Sequence, residues 1–216
     1  MSKYAAKARV QTVGEEVANS VSHGIGLLGA ITATPFLVAA AMNRGTVASV
    51  VGVSIFAATM MLMYLTSTLY HAVPNPRAKQ VLRILDHNAI FLLIAGTYTP
   101  ILLGVMYGTW GWVLFGLVWG LALAGIILKT ASGHKYHHVS MIIYVAMGWI
   151  VVIATKPLIE AMPPWGIFWL VLGGWFYTGG IVFYRNERMR YAHTIWHLFV
   201  LAGTVSHFIA IIGYAF

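Results

Sequence analysis

The sequence predicts an all-α fold: a seven-transmembrane helix bundle forming a single integral membrane domain over residues 1–216. The residues are 60% hydrophobic and only 8% charged, which leaves too little polar surface to cover a water-soluble globule of this size. The apolar residues occur in runs of about 20, the length that crosses a hydrocarbon core as a helix. The chain has no cysteine, so histidine and carboxylate are its only strong metal ligands.

Seven apolar runs predict the spans in chain order, and short connections separate them. The predicted spans cover 18–41, 47–70, 85–106, 110–129, 138–156, 164–184 and 192–214. Residues 1–16 are polar and are expected to form a retained cytoplasmic segment, because a cleaved signal peptide would place a short apolar core in this region.

The basic residues predict the orientation of these spans, because cytoplasmic connections carry the excess of Lys and Arg. Eleven of the 13 basic residues fall in the N-terminal segment and in the second, fourth and sixth connections, which leaves Arg44 and Lys156 for the other side. We therefore expect a multi-pass plasma-membrane protein with its N-terminus in the cytoplasm and its C-terminus outside. The net charge of +8 then reflects topology and contact with anionic lipids, and no nucleic-acid partner is expected because no basic domain is present.

Polar residues of four spans share one predicted depth. They are Glu16, Asn19 and His23 at the start of the first span, Ser67 and His71 at the end of the second, Asp86 at the start of the third, and His193 and His197 at the start of the seventh. Odd-numbered spans begin and even-numbered spans end at the cytoplasmic face, so all of these residues are expected in the inner leaflet. An ionisable group there is costly and indicates a function. Glu15, by contrast, is expected to be solvated at the membrane edge.

The histidines predict a metal site. A separation of four residues places His193 and His197 about 40° apart on a helix, with Cβ atoms roughly 5–6 Å apart, close enough to hold one ion. His71 is the candidate third ligand, and Ser67 lies one turn from it. Three imidazoles and an open position are typical of catalytic Zn²⁺, which lowers the pKa of bound water to about 7. Asp86 is the candidate base that shuttles the proton of that water.

An alternative is that the histidines are neutral and form hydrogen bonds across helices, as polar side chains in membrane bundles do. The HTIWH segment at 193–197 lacks the glutamate of an HExxH motif, so the pair alone is a weak signal. We expect Glu16, Asn19 and His23 to form a supporting hydrogen-bond network rather than to bind the ion.

Three other histidine-bearing positions are expected to lie outside the metal site. His207 lies ten residues after His197, about 15 Å deeper, and is expected to be a buried hydrogen-bonding residue. His87 points about 100° away from Asp86 and is expected to be structural. The HKYHH run at 134–138 is expected to be a solvated, interfacial basic patch.

Four segments closely resemble the hemolysin III proteins, the bacterial branch of the progestin and adipoQ receptor family within the wider alkaline ceramidase-like superfamily. They are EEVANSVSHGIG at 15–26, STLYHA at 67–72, LDHNAIFLLIAGTYTP at 85–100 and HTIWHLFVLAGTVSHF at 193–208. The resemblance implies a bacterial inner (plasma) membrane protein of seven helices, with Zn²⁺ held by His71, His193 and His197. It also implies that Asp86 contacts the ion through water and that Ser67 matches the family's serine. The residues of this chain that match the family signature E-x-x-N-x-x-S/T-H are Glu16, Asn19, Ser22 and His23.

Three functions follow from these observations and from the resemblance. The first is a zinc-dependent, ceramidase-like hydrolase of lipid amide or ester bonds, with Asp86 and Ser67 as its catalytic residues and membrane lipids as its substrates and partners, acting in membrane-lipid homeostasis. The second is a non-catalytic sensor or receptor stabilised by the metal, although three histidines without a fourth ligand favour catalysis. The third is a cytolysin or pore, which the concentration of polar residues on one side disfavours. No pattern indicates an oligomeric state.

Overall fold

The computed structural model describes residues 9–133, 137–186 and 188–216, and every regular element in this part of the chain is helical. The elements are α1 (Val13–Arg44), α2 (Val47–Ala72), α3 (Pro76–Leu103), α4 (Thr109–Ser132), α5 (His137–Gly148), a 3-10 segment (Ile150–Ala154), α6 (Thr155–Ala161), α7 (Pro164–Tyr184) and α8 (Ala192–Tyr214). The predicted all-α class is confirmed.

Seven helical segments are long and apolar enough to cross a membrane. The sixth and seventh, α7 and α8, have the predicted bounds, and the fifth combines α5, the 3-10 segment and α6 between His138 and Ala161. Large apolar side chains such as Leu28, Ile127 and Val182 are exposed on the outside of the bundle, as expected where lipid rather than water is the neighbour. The chain is therefore a multi-pass membrane protein.

Local capping explains where the first and third helices begin. Thr12 caps α1 in a capping box with Glu15, so two of the free N–H groups at the start of this helix have partners. Asn75 accepts hydrogen bonds from the N–H groups of Arg77 and Ala78, and Pro76 occupies the first turn. Because of this cap, α3 begins nine residues before the predicted third span. The basic residues Arg77, Lys79 and Arg83 therefore lie on a helix, and the prediction that they belong to a connection is wrong.

The fifth span is interrupted in its middle, a feature that its apolar pattern does not indicate. The α-helix ends at Gly148, and the 3-10 segment follows. The Tyr98 hydroxyl of α3 donates to the Gly148 carbonyl at 2.9 Å and accepts from the Val151 N–H at 3.3 Å. Non-helical backbone at membrane depth is stable only where the protein supplies such partners, so Tyr98 allows the interruption.

The packing order of the helices brings distant parts of the sequence together. α2 packs between α1 and α3, α3 also packs against α4, and α8 packs against both α7 and α1. The core between them contains fully buried Phe56, Tyr64 and Phe91. As a result, the starts of α1, α3 and α8 and the end of α2 meet at one end of the bundle.

Candidate metal centre

A cavity of about 630 Å³ runs into the bundle from the end where these helix termini meet. Its polar end is lined by residues that include His71, Asp86 and His193, and its walls continue past Leu93 and Tyr98 to Met106 near the opposite end of α3. The cavity therefore joins a cluster of titratable groups to a long apolar space, an arrangement that accommodates an amphipathic molecule.

Three histidines converge at the polar end of this cavity. One ring nitrogen from each of His71, His193 and His197 lies within 4.8 Å of the others. The ring centroids are 4.7 Å apart for His193 and His197, which share a face of α8, and 5.0 and 5.1 Å from these to His71 on α2. The structure thus brings together the three residues that the sequence analysis grouped as ligands.

The second nitrogen of two of these rings already has a partner. His71 Nδ1 lies 2.7 Å from the Glu16 carboxylate, whose other oxygen is 2.8 Å from the Lys79 ammonium. His197 Nδ1 lies 3.1 Å from the Asn19 carbonyl and 3.0 Å from the Ser22 hydroxyl. A carboxylate or carbonyl on Nδ1 fixes the tautomer that leaves Nε2 free to bind a metal.

The free nitrogen of His71 provides the test of whether a metal fits here. His71 Nε2 is buried and has no hydrogen-bond partner in the described part of the chain. A buried polar atom without a partner costs free energy, and an ion shared with His193 and His197 would remove that cost. The donor set of three imidazoles suits Zn²⁺ and other imidazole-binding divalent ions, so the residues fit the predicted cofactor.

Asn19 is the centre of the network around the histidines. Its side-chain amide donates to Gln11 at 2.8 Å, its side-chain carbonyl accepts from the Thr194 hydroxyl at 2.6 Å, and its backbone carbonyl faces His197. Asn19 is fully buried. It therefore links the segment before α1 to Thr194 and His197 of α8. Gln11 and Thr194 were missed at the sequence level, although Thr194 lies between the two histidines it helps to place.

His23 lies beside the three candidate ligands but does not join them. Its ring stacks on His197 with a centroid distance of 3.5 Å and an interplanar angle of 6°. His23 Nδ1 is 2.7 Å from the Ser67 hydroxyl. His23, Ser67 and Asp86 all line the cavity, so they place a group of polar side chains along its edge.

The position of Glu15 contradicts the expectation that this residue is solvated at the membrane edge. It is 2% exposed rather than solvated. Its carboxylate pairs with Arg9, accepts from the Thr12 backbone and hydroxyl at 2.9 Å, and accepts from the Tyr191 N–H at 2.9 Å. These partners replace water, which explains why a carboxylate is stable in this position.

The other histidines lie elsewhere. His207 Nε2 is 3.0 Å from the Leu170 carbonyl, so the predicted hydrogen bond is present, although the residue is half-buried rather than buried. His87 is buried on α3, and its backbone carbonyl accepts from the Tyr144 hydroxyl at 2.8 Å. In the HKYHH run, residues 134–136 lie outside the described residues, and His138 is exposed at the start of α5.

Comparison with known proteins identifies the family of the chain. The Haemolysin-III related family model matches residues 11–208. The Hemolysin-3 homolog of Bacillus subtilis (strain 168) is 43% identical over 94% of this chain and 95% of its own length, and the Hemolysin-3 of Bacillus cereus is 41% identical over 94% and 93%. The human monocyte to macrophage differentiation factor is 26% identical over 75% of this chain and 69% of its own length. The chain therefore belongs to the Haemolysin-III related family.

Proposed function

We propose that the protein is a zinc-dependent hydrolase of acyl amide or ester bonds in membrane lipids. The observation that carries this proposal is the convergence of His71, His193 and His197, with the free His71 Nε2, on a cavity that becomes apolar beyond them. When bound there, Zn²⁺ would lower the pKa of water and polarise a carbonyl oxygen. Three protein ligands leave a position for that chemistry, whereas structural zinc sites are normally closed by four.

The substrate follows from the cavity. An acyl chain fits the apolar walls formed by residues such as Leu93, Ile94 and Met106, and its polar head then remains at the end that contains the histidines. Burial of a chain in such a space is favourable by about 0.8 kcal/mol per CH₂ group. The scissile carbonyl is thereby brought near Asp86, which lines the same cavity.

The proton chemistry is assigned to the group of polar side chains beside the histidines. Hydrolysis adds water across the acyl C–N or C–O bond, so one proton must pass from the water to the leaving nitrogen or oxygen. Asp86 is the base that takes this proton and returns it. The Ser67 hydroxyl, held by His23 Nδ1 at 2.7 Å, orients the Asp86 carboxylate.

The orientation of the protein belongs to the same proposal. The end of the bundle that carries the histidines also carries Arg9, Lys79 and Arg83, and basic residues mark the cytoplasmic side. We place the cavity mouth at the inner leaflet of a bacterial plasma membrane, where it meets both cytosolic water and lipid.

Metal content is the experiment that tests the proposal. The purified chain is washed with a mild chelator and analysed by elemental mass spectrometry, for the wild type and for His71→Ala, His193→Ala and His197→Ala, with the exposed His138→Ala as the matched control. We expect about one zinc per chain in the wild type and the control and loss of zinc in the three ligand variants. Turnover of N-acyl and O-acyl lipids should then be abolished by Asp86→Ala. A folded, metal-free wild type would contradict the proposal.

Cytolysis is the second candidate, because two of the relatives carry the name hemolysin. A water-filled path would need polar residues through the whole membrane thickness, whereas the histidine and carboxylate side chains that line the cavity, apart from His207, gather at one end. Dye release from liposomes containing the purified chain separates the two functions. We expect no release above that of protein-free liposomes.

A further inference from the structure

Arg83 differs from the other basic residues at the cavity mouth. Arg9 pairs with Glu15, and Lys79 pairs with Glu16 at 2.8 Å. Arg83 lines the cavity, and none of the described carboxylates forms an ion pair with it. A partly buried guanidinium with no carboxylate partner is suited to binding an anion from outside the chain.

A second cation behind Arg83 points to the same conclusion. Lys129 on α4 is 2% exposed, and its ammonium has no hydrogen-bond partner in the described part of the chain. Beside Lys129, the Asn88 side-chain amide of α3 donates to the Thr130 hydroxyl of α4 at 2.9 Å, so Lys129 lies where α4 packs against the helix that carries Arg83. A buried charge is costly unless it is paired. When it is protonated, Lys129 adds to the positive potential that Arg83 creates at the mouth, and an anion bound there would offset its cost.

The position of Arg83 along α3 relates this charge to the proposed chemistry. Arg83 precedes Asp86 by three residues, about 4.5 Å along the helix axis, so both lie within one turn. In an acyl phospholipid, a short carbon bridge joins the phosphate to the acylated oxygen or nitrogen. A phosphate at Arg83 would therefore leave the acyl carbonyl near Asp86 and the acyl chain in the apolar part of the cavity.

We propose that Arg83, assisted by the positive potential of Lys129, binds the phosphate group of an acyl phospholipid and selects such lipids over neutral acyl lipids. The proposal rests on the proposed function for the placement of the acyl carbonyl. The planar guanidinium presents paired N–H donors that match two phosphate oxygens. Lys129 acts from behind, because it does not line the cavity.

The test compares two lipids that differ only in the phosphate-bearing head. The purified, chelator-treated full chain in detergent is titrated with dioleoylphosphatidylglycerol and with dioleoylglycerol, and bound lipid is counted by native mass spectrometry. We expect the phospholipid to bind about tenfold more tightly in the wild type, as a charge-assisted hydrogen bond predicts. Arg83→Gln should remove this preference, and Lys129→Gln should reduce it.

Matched variants separate the loss of phosphate binding at Arg83 from the general effect of removing a positive charge. Arg77→Gln removes an exposed cation from the same helix outside the cavity, and its preference should stay within about twofold of the wild type. Arg83→Lys is measured if Arg83→Gln fails to fold. It keeps the charge and loses the paired donors, so we expect an intermediate preference for the phospholipid. Equal binding of both lipids by the wild type, or equal losses in Arg77→Gln and Arg83→Gln, would overturn the proposal.

Two further measurements show whether the bound phosphate belongs to a lipid, and distinguish failure of the proposed hydrolase from failure of phosphate binding at Arg83. Inorganic phosphate that competes as strongly as the phospholipid would overturn the lipid assignment. Because binding is measured without metal or turnover, an inactive protein that still prefers the phospholipid would refute the hydrolase but support this inference. A wild type that hydrolyses acyl lipids but binds the phospholipid and the neutral lipid equally would support the hydrolase and refute this inference.

Discussion

The Glu15 carboxylate accepts a hydrogen bond from the backbone N–H of Tyr191 at 2.9 Å and so ties the start of the first helix to the start of the last. Tyr191 has a left-handed backbone conformation with a φ of 58°, which is unfavourable for a residue with a side chain and needs support from its surroundings. His193 follows two residues later. Glu15 thus stabilises the backbone from which a candidate metal ligand projects.

Replacement of Glu15 should lower the stability of the protein. Glu15→Gln keeps the size of the side chain but weakens its bonds to Arg9, Thr12 and the Tyr191 N–H, and we expect a loss of about 1–3 kcal/mol in the free energy of unfolding. Thermal unfolding in detergent micelles measures this loss. The control is Glu160→Gln, whose exposed carboxylate lies 4.0 Å from Lys156 and should change stability by less than about 0.5 kcal/mol. Equal shifts in the two variants would contradict the role of Glu15.

Replacement of Glu16 should weaken metal binding more than folding. Glu16→Gln removes the charge from the carboxylate that faces His71 Nδ1 at 2.7 Å, and such partners of metal-binding histidines are typically worth 10–100-fold in metal affinity. Competition for Zn²⁺ with a fluorescent chelator gives the affinity. Lys79→Gln leaves the contact between Glu16 and His71 in place and should have a smaller effect. An unchanged affinity in Glu16→Gln would show that this contact does not orient His71 for binding.

Loss of the Tyr98 hydroxyl should destabilise the interrupted fifth span. Tyr98→Phe leaves the Gly148 carbonyl and the Val151 N–H without their partner, at a cost of about 1–3 kcal/mol for a backbone polar group that lacks a partner at membrane depth. Tyr107→Phe is the control, because Tyr107 is 64% exposed. Thermal unfolding in micelles compares the two. If Tyr98→Phe unfolds at the wild-type temperature, the hydroxyl is not required for the interruption.

The contact between α7 and α8 depends on the absence of a side chain at Gly173. A Cβ there would collide with the His207 ring and lie 3.1 Å from the Gly203 carbonyl, so Gly173→Ala should cost about 1–3 kcal/mol. Gly29→Ala places the same methyl group where nothing lies within 4 Å and should be neutral or slightly stabilising, because alanine favours the helix. Unfolding measurements on both variants check this difference. Equal stability of the two would mean that α7 and α8 can move apart at no cost.

Much of the fold can be predicted from the sequence, because a helix that crosses lipid needs a run of about 20 apolar residues. Seven apolar runs predicted seven spans, and two of them match α7 and α8 to the residue. The bounds of α3 were wrong because its first turns are amphiphilic, and the cap at Asn75 rather than hydropathy decides where it begins. The interruption after Gly148 was missed because IVVIA is as apolar as its surroundings, and its stability comes from Tyr98, fifty residues away.

The candidate site was predictable where residue type carries the signal. Histidines are rare in apolar runs, and the depth shared by His71, His193 and His197 grouped them before any distance was known. Glu15 and Gln11 carried no such signal, because both precede the first apolar run and a polar residue there is ordinary. Their contacts with Tyr191 and Asn19 arise only when the first and last helices pack together, which no local pattern encodes.

The packing of α8 against α1 also sets the order in which the protein can be assembled during synthesis. His71 leaves the ribosome in the second span, whereas His193 and His197 belong to the seventh, and Asn19 is separated from Thr194 by 175 positions. A nascent chain with six spans in the membrane therefore has one candidate ligand of the three and an incomplete network. The histidine cluster forms only when α8 inserts beside α1, so its completion marks a chain whose seven spans are inserted and correctly threaded.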